Sequence, residues 1–422
     1  MMIKRFLSIT MALLLAAALF GCTPKTPSGN DHDAGNSPYL NNAGQAVPLS
    51  IHATDENILY NAEYNPLYTE ANNDFAITMV NALDKSWTGV FSPLSLQVAL
   101  QILANGGDEE TAQMLLNEVG PGMTRDIVNS SAANLIGKLL KSEGVSINNA
   151  VVVNKAYQIC EKFAHTAADY YRASVGALDF SNPKAAVKEL NKWISKNTGG
   201  LIDKLLEEKD VGADTAMVII NTLFLKLNWK TPFVKLKDVS TFHGSKGDSA
   251  VSMLNVTSGF GYQKFDQGQL VIVPYEGGEY NMAVILPEEG VSPAEAIAAM
   301  IGRFDGCETM EVKLMMPAVK LDSKLDIMDM ASKLNLEAGL RGLYPELIND
   351  GDVEIEKVLQ GATLEVTETG TTAAAATAVI GKKNAMPPQA DVEVICDRPY
   401  AMIIYNVETS TVLFVSVVND VG

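Results

Sequence analysis

The residue types that most often carry catalysis are sparse in this chain. It has 422 residues but only four histidines, at His32, His52, His165 and His243. A serine nucleophile would need a histidine and a local motif such as GxSxG, and the sequence contains no such motif. It also has no HExxH zinc motif, phosphate-binding loop or dinucleotide fingerprint. We therefore expect no enzymatic activity, no cofactor and no metal site.

The most unusual composition lies close to the C-terminus, from Glu368 to Pro388, with the sequence ETGTTAAAATAVIGKKNAMPP. Its first half, Gly370 to Ala378, contains only glycine, threonine and alanine, whereas its second half carries Lys382 and Lys383. Because alanine is the best helix former, propensity alone favours a short surface helix. The alternative is an extended segment whose function requires small side chains, and the rest of the chain has to decide between the two.

Composition indicates a globular and strongly acidic protein. Hydrophobic residues make up 47% and charged residues 19% of the chain, and the formal net charge is −18. Lys4 and Arg5 lie in a segment that we expect to be removed, which leaves about −20. An acidic surface repels polyanions, so we expect no nucleic-acid partner. Cys160, Cys307 and Cys396 are widely spaced and lack a CxxC motif, so we interpret them as packed thiols.

The N-terminus has the pattern of an export signal. Lys4 and Arg5 precede an apolar run that ends just before Cys22. This cysteine resembles the bacterial lipobox cysteine that receives a diacylglycerol; the alternative is a secreted protein with an incidental cysteine. We predict a lipoprotein signal peptide over residues 1–21 and a lipidated flexible tether over 22–50, rich in Pro, Gly, Ser and Asn. The protein is then expected outside the cytoplasm, anchored to a membrane at the cell surface or in the periplasm.

Apolar periodicity predicts helices mainly in the first half and strands mainly in the second half. Serine at 92, proline at 93 and a glycine pair at 106–107 are typical start and stop signals of a helix. The predicted helices are Ala71–Leu83, Leu94–Gly107, one beginning at Asp108, Pro183–Lys196 and Lys324–Leu336. The predicted strands are Ile147–Val153, Ala216–Phe224, Gln269–Tyr275, Tyr280–Leu286, Met310–Leu321, Thr363–Thr367 and two within Ala401–Val418. This distribution indicates an α+β fold.

Several segments together resemble the serpins, from about Asn72 to the C-terminus. The residues that carry the resemblance are Val90–Ser95 (VFSPLS), Asp179–Phe180, Asn191, Trp193, Thr198, Ile202, Asn221–Trp229 (NTLFLKLNW), Phe233, Pro274–Tyr275, Leu286–Pro287, Arg398–Tyr400 and Leu413–Val415. Each match alone is weak, but their order and spacing are specific. The resemblance implies one domain over residues 51–422, with three β-sheets, about eight or nine helices and an exposed reactive loop at about 368–397.

In function, the resemblance implies an irreversible inhibitor of serine or papain-like cysteine endopeptidases. A protease cuts the loop, and the loop then inserts into the main sheet while still joined to the enzyme. Alternate side chains of an inserted strand face the core, and small residues enter it most easily. The hinge of the loop, residues 368–377, has suitable side chains, which favours the strand over the helix. Its key positions are Glu368, Gly370, Thr371, Ala373, Ala375 and Thr377.

The resemblance also implies a reactive bond. Counting the usual seventeen residues from Glu368 inclusive reaches Asn384, which gives Asn384–Ala385 as the scissile bond. A count shorter by one gives Lys383–Asn384, which would suit a trypsin-like enzyme. The expected partners are therefore a target protease, in a covalent complex with a monomeric inhibitor, and a membrane through the lipid on Cys22.

A buried polar cluster beneath the main sheet is implied at Ser92, Ser95, Asn221, Gln360 and Trp229. Gln360 stands where the family has a histidine; glutamine can hydrogen-bond but cannot become charged. The alternative function is that of a non-inhibitory serpin, a binding or carrier protein at the cell surface. Such members usually have bulky or charged hinge residues, which this chain lacks.

Overall fold

Six of the eight helices in the described residues precede the strand Met217–Leu225. The structure is a computed structural model that describes residues 62–349, 351, 353–371 and 389–421. Its helices are α1 Leu67–Ala82, α2 Pro93–Ala104, α3 Glu109–Val119, α4 Arg125–Leu139, α5 Glu161–Tyr171, α6 Pro183–Asn197, α7 Pro293–Met300 and α8 Glu337–Leu340. Within these residues, no helix is long and apolar enough to cross a membrane.

Most of the strands come after the first six helices. They are β1 Gly89–Phe91, β2 Val145–Asn154, β3 Ala173–Leu178, β4 Met217–Leu225, β5 Leu227–Asn228, β6 Val234–Gly244, β7 Gly247–Phe265, β8 Gly268–Pro274, β9 Tyr280–Pro287, β10 Glu308–Pro317, β11 Val319–Asp326, β12 Leu359–Val366, β13 Gly370–Thr371, β14 Val392–Ile395, β15 Tyr400–Asn406 and β16 Val412–Val418. Short 3₁₀ turns occur at Glu208–Asp210 and Ile327–Met330.

The strands of the described residues form two β-sheets. The seven-stranded sheet has the order β3-β2-β4-β12-β13-β5, with β11 on the other edge of β12. The nine-stranded sheet has the order β1-β16-β15-β9-β8-β7-β10-β14, with β6 paired to β7. The first half of the 19-residue β7 pairs with β6 on one edge, and its last residues pair with β8. On its other edge, β10 pairs with residues 253–262 of β7. The family resemblance implies three sheets, but the described strands form two. The larger sheet is continuous because β7 and β10 join the strands around β6 to those around β8.

Helix α2 packs between the two sheets. It contacts β4 of the smaller sheet and β16 of the larger one, and all of its residues are buried. Ser92 caps it as predicted, because its side chain accepts a hydrogen bond from the Ser95 amide, and Pro93 occupies the first turn. A separate apolar cluster lies on the opposite face of the smaller sheet, where α6 packs against β2 and β4. This layer structure places the N-terminus of α2 beneath β4 and β12.

Two predictions around residues 310–336 were wrong. The predicted strand Met310–Leu321 is two strands in different sheets, since β10 ends at Pro317 and β11 begins at Val319. The predicted helix from Lys324 is absent, because β11 continues to Asp326 and pairs with β12. Apolar residues spaced as in a helix fit a strand followed by a 3₁₀ turn equally well, and here the pairing with β12 decides.

Candidate functional site

The first part of the hinge is already paired as a strand in the uncleaved chain. Gly370 and Thr371 form β13, which is antiparallel to both of its neighbours. Thr371 lies opposite Val366 of β12 and Leu227 of β5. The chain turns back immediately after β12, and the amide of Thr367 donates to the carbonyl of Gly370 at 2.9 Å. The start of the predicted loop therefore lies inside the smaller sheet.

Below β13, the facing edges of β4 and β12 are mostly unpaired among the described residues. These parallel strands pair only at Leu359 with Ile220 and at Gln360 with Asn221. Among the described residues, 222–226 and 361–365 have no strand partner on the sides that face each other. The register is the same above and below the opening: 366 minus 227 and 360 minus 221 are both 139. An antiparallel strand continuing from Thr371 would place residues 372–376 in the opening and residue 377 between Gln360 and Asn221.

Trp229 and its neighbours hold the turn above this opening. The indole Nε1 of Trp229 donates to the carbonyl of Thr367 at 2.9 Å, and its amide donates to the carbonyl of Thr369 at 2.8 Å. The amide of Phe233 donates to the carbonyl of Glu368, also at 2.8 Å. Three successive carbonyls at the start of the loop thus accept hydrogen bonds from one segment, 229–233. These bonds hold the turn in place above the smaller sheet.

Thr371 points inward, as the predicted alternation requires. The residue is 1% exposed, and its Oγ1 donates to the Tyr275 hydroxyl at 3.1 Å. Tyr275 in turn stacks on Trp229, with ring centroids 4.6 Å apart. Burial raises the pKa of the Tyr275 phenol well above its ordinary value, so this pair is neutral near neutral pH. At the neighbouring position 370 a side chain would overlap the carbonyl oxygen of Leu227, which explains the glycine.

The predicted polar cluster lies where β4 and β12 meet. The amide of Gln360 on β12 bonds twice to the Ser92 backbone: its Oε1 accepts from the N–H at 3.1 Å, and its Nε2 donates to the carbonyl at 2.8 Å. On the β4 side, Ser95 Oγ donates to Asn221 Oδ1. All four residues are buried. The N-terminus of α2 therefore holds both edges of the opening, β12 through Ser92 and β4 through Ser95.

Trp229 does not belong to this cluster, and the predicted grouping needs that correction. Its hydrogen bonds and ring contacts are with the turn and with Tyr275 and Phe233. Asn149 takes the place instead, since its Oδ1 accepts from Asn221 Nδ2 and the two residues face each other across β2 and β4. An asparagine in the apolar strand sequence INNAVVV is the signal that could have identified it.

The remaining predicted residues fall in two groups. Glu368 is half-buried in the turn after β12. Ala373, Ala375, Thr377, Lys383, Asn384, Ala385 and Cys22 lie outside the described residues. In the part of the chain that the structure covers, no group of three or more His, Cys, Asp or Glu side chains is arranged to hold a metal. Cys160, Cys307 and Cys396 are free thiols, and burial raises the pKa of Cys307 to about 11.

Comparison with known proteins identifies the family. The model of the family described as "Serpin (serine protease inhibitor)" matches residues 70–421. An uncharacterized serpin-like protein of Thermococcus kodakarensis is 25% identical over 423 residues, which cover 96% of this chain and 97% of that protein. The chain therefore belongs to the serpin family, whose members are generally protease inhibitors and not enzymes. The predicted α+β serpin fold is confirmed.

Solved structures give the same fold. The native state of tengpin, a thermophilic serpin, superposes with a TM-score of 0.74 at 23% identity, covering 84% of this chain and 94% of that one. Thyroxine-binding globulin in complex with thyroxine superposes with a TM-score of 0.73 at 22% identity, covering 83% and 98%. At these identities the likeness concerns the fold alone.

Proposed function

We propose that this serpin is an irreversible suicide-substrate inhibitor of serine endopeptidases, with papain-like cysteine endopeptidases as a second target class. The observation that carries the proposal is β13: Gly370 and Thr371 already occupy the top of the opening between β4 and β12, in register with the pairs below it. The rest of the hinge has only to continue a strand that has begun.

The mechanism follows from what cleavage changes. While the loop is intact, both of its ends are tied to the body, at Thr371 and at β14. Attack by the protease serine on the carbonyl of Asn384 breaks the bond to Ala385 and leaves the enzyme esterified to the end of the hinge segment. That segment is now free to enter the opening, and the attached protease moves with it. Displacement distorts the enzyme before water can release it.

In an inserted strand that continues from Thr371, alternation would turn positions 373, 375 and 377 inward as well. These residues are alanine, alanine and threonine, so none brings a charge into the core. Thr377 would arrive between Gln360 and Asn221, where its hydroxyl meets the polar cluster instead of an apolar surface. Thr377 would thus meet polar groups, as Thr371 already does at Tyr275.

Mixing the purified protein with a panel of proteases tests the proposal. We expect a covalent complex that survives denaturing electrophoresis with at least one serine or cysteine protease. A metalloprotease, whose nucleophile is a metal-bound water, forms no acyl-enzyme and serves as the negative control. Cleavage of the loop by every enzyme, with no shifted band for any, would favour the alternative of a non-inhibitory binding or carrier protein.

Mass spectrometry of the released C-terminal fragment tests the reactive bond. We propose Asn384–Ala385, with Lys383–Asn384 as the alternative for a trypsin-like enzyme. A fragment that begins at Ala385 supports the first assignment and one that begins at Asn384 supports the second. Any other start would contradict the count from Glu368.

We further propose that a lipid on Cys22 anchors the mature protein to a membrane outside the cytoplasm. The basic start, the apolar run and the cysteine that follows it support this placement. Expression in bacteria with a labelled fatty acid should label the wild-type protein but not Cys22→Ser. Equal labelling of both proteins, or of neither, would contradict the anchor.

A further inference from the structure

Helix α6 has an unusual charge for this protein. Its 15 residues carry four lysines and one carboxylate, Glu189, which gives a net charge of +3 in a chain whose formal net charge is −18. The lysines recur at every fourth position, and we call them the lysine stripe: Lys184, Lys188, Lys192 and Lys196. Among the other described helices only α4 has a net positive charge, and that charge is +1. Positive charge is thus concentrated on one helix of an acidic protein.

The lysine stripe lies on the face of α6 that points away from the protein. A helix turns by about 100° per residue, so side chains four residues apart differ by only about 40°, and the four lysines cover about 120° of the circumference. The buried side chains of α6 centre on the opposite face: Ala186, Val187, Leu190, Trp193 and Ile194. They belong to the apolar cluster on the smaller sheet, whereas all four lysines are exposed. At about 1.5 Å per residue, the stripe is about 18 Å long.

The charges of the stripe are mostly unpaired within the described residues. Lys192 lies 3.9 Å from Glu189, and exposed pairs of this kind contribute little. The other three lysines of the stripe form no ion pair with any described residue. Asp203 lies beside the C-terminal end of the stripe, since it accepts from Ser195 Oγ at 2.9 Å, but Lys204 follows it directly in the chain. The ammonium groups can therefore bind an external anion.

The shape of the stripe indicates a broad anionic surface as the partner. Pockets for small ligands are concave, whereas the exposed face of a helix is convex and cannot enclose a small anion. An anionic bilayer presents many charges in one plane, and each lysine close to it strengthens binding about fivefold. The acidic remainder of the protein does not cancel this attraction, because charges more than about 10 Å away are largely screened at 0.1 M salt.

The proposed lipid anchor favours a bilayer over an anionic polymer. A lipid on Cys22 would hold the body of the protein beside a membrane, with about 40 residues of chain before Ala62, the first described residue. A flexible chain of that length spans roughly 35 Å on average, which is enough for the body to turn one face to the membrane. The face with the positive helix is then the one that an anionic bilayer attracts.

We propose that the lysine stripe of α6 is a docking surface for an anionic lipid bilayer. The anionic headgroups accept hydrogen bonds from the ammonium groups, and α6 lies along the bilayer surface. The smaller sheet, on which α6 packs, is then parallel to the bilayer. Because the loop begins at the end of β12, it projects along the membrane and not away from it. The value of this orientation for trapping rests on the proposed inhibitory function, but the docking surface itself does not.

Sedimentation with lipid vesicles tests the docking surface. The protein is expressed as residues 23–422, so that neither a lipid nor the apolar run before Cys22 can bind the vesicles. This chain keeps both sheets and both apolar clusters, and hence the whole described body. At 0.1 M salt it should bind vesicles of phosphatidylglycerol and phosphatidylcholine on the order of 100-fold more strongly than vesicles of phosphatidylcholine alone. At 1 M salt, where the Debye length is about 3 Å, the difference should disappear.

Two pairs of substitutions separate the stripe from the net charge. Lys188→Gln combined with Lys192→Gln should weaken binding about 25-fold, whereas arginine at both positions should preserve it, since the charges remain. The matched control is Lys235→Gln combined with Lys237→Gln, which removes two exposed lysines of β6 and changes the net charge equally. We expect this control to bind within about twofold of wild type.

Three results would overturn the proposal. The first is an equal loss of binding for the two glutamine pairs, because net charge and not the stripe would then determine binding. The second is sedimentation with anionic vesicles that is no stronger than with neutral ones. The third is stripe-dependent binding to polyphosphate without binding to vesicles, which would assign the stripe to a linear polymer. Vesicle binding is measured without a protease and trapping without vesicles, so a failure of either proposal is seen separately.

Discussion

Thr371 is buried in the uncleaved chain, and in the proposed insertion this placement would decide which later hinge positions face the core. Its hydroxyl bonds to Tyr275, and its backbone pairs on both sides. A residue here must satisfy two conditions: it has to pack under the sheet, and it has to carry no charge into that site.

Thr371→Arg should therefore abolish trapping while leaving cleavage of the loop intact. A buried, unpaired guanidinium costs several kcal/mol, so β13 is expelled and the loop cannot enter ahead of deacylation. The measurement is the ratio of covalent complex to cleaved protein on denaturing gels. Thr371→Val keeps the shape without the charge and should retain most of the complex. Trapping by the arginine variant would show that the inward face is wrongly assigned.

Gln360 gives the polar cluster a different response to pH from one built on histidine. It is 2% exposed and bonds to both backbone groups of Ser92. Glutamine does not titrate, so this site contributes no change in stability between pH 5 and 8.

Gln360→His should introduce such a change. Burial disfavours the imidazolium, and a protonated ring cannot accept from the Ser92 amide, so the pKa in the folded state lies below the ordinary 6.5 or so. The free energy of unfolding of the variant is then greatest above the unfolded-state pKa of about 6.5. It decreases by about 1–2 kcal/mol as the pH falls through the folded-state pKa. Urea unfolding at pH 8 and 5.5 measures it. Gln360→Asn, which cannot titrate, should show no such difference, and a pH-independent histidine variant would contradict the account.

At the scale of elements, the turn between β12 and β13 depends on an indole from another segment. Trp229→Phe removes the donor to the Thr367 carbonyl and should destabilise the protein by about 1–3 kcal/mol in urea unfolding. The chain offers a matched control in Trp193, whose buried Nε1 has no hydrogen-bond partner among the described residues. Trp193→Phe loses no such bond and should cost less. Equal losses would mean that ring volume, and not the hydrogen bond, holds the turn.

Elements with local signals were predictable, and those decided by pairing were not. Helix α2 carries its serine cap, proline and glycine stop within its own sequence. The region from β10 to the 3₁₀ turn at Ile327–Met330 carries no such signals, and its structure follows from the registers of β10 with β7 and of β11 with β12.

The same division holds for the candidate site. The inward position of Thr371 could be predicted from the hinge sequence alone, whereas the alternation beyond it stays a prediction. Asn149 could not be predicted, because it contacts the site from a distant part of the chain. Trp229 was grouped with Asn221 because the two share one motif, yet eight residues of extended chain cover roughly 26 Å.

For the whole molecule, the dependence of stability on pH follows from the carboxyl groups whose pKa is lowered by folding. Backbone amides lower the pKa of Asp108 at the start of α3 and of Glu295 in the first turn of α7. For Asp210 burial acts in the other direction, but hydrogen bonds from Lys324 and from the Glu207 amide, together with the charges of Lys324 and Lys357, outweigh it, and the pKa is lowered. The pKa values of Asp84, Asp179, Glu207 and Asp420 are also lowered.

Stability should consequently fall as the solution becomes acid. Each of these groups has a lower pKa in the folded state, so the unfolded chain binds more protons near pH 4. Their contribution is complete above the ordinary carboxyl pKa of about 4 and is lost as the pH falls through the folded values. Thermal melts at pH 6, 4.5 and 3 should show a midpoint that changes little between the first two and drops at the third. A midpoint that rises on acidification would contradict the assignment.

The edges at 222–226 and 361–365, which no described strand pairs, also bear on how this protein behaves when it is concentrated. Unpaired strand edges can template pairing with an extended segment of another chain, and the hinge of a second molecule has the same sequence as the segment proposed to insert. Pairing between molecules is bimolecular, whereas insertion within one molecule is not, so the balance between them shifts with protein concentration. The unpaired edges on which the proposed response to cleavage depends would therefore also make self-association depend on protein concentration.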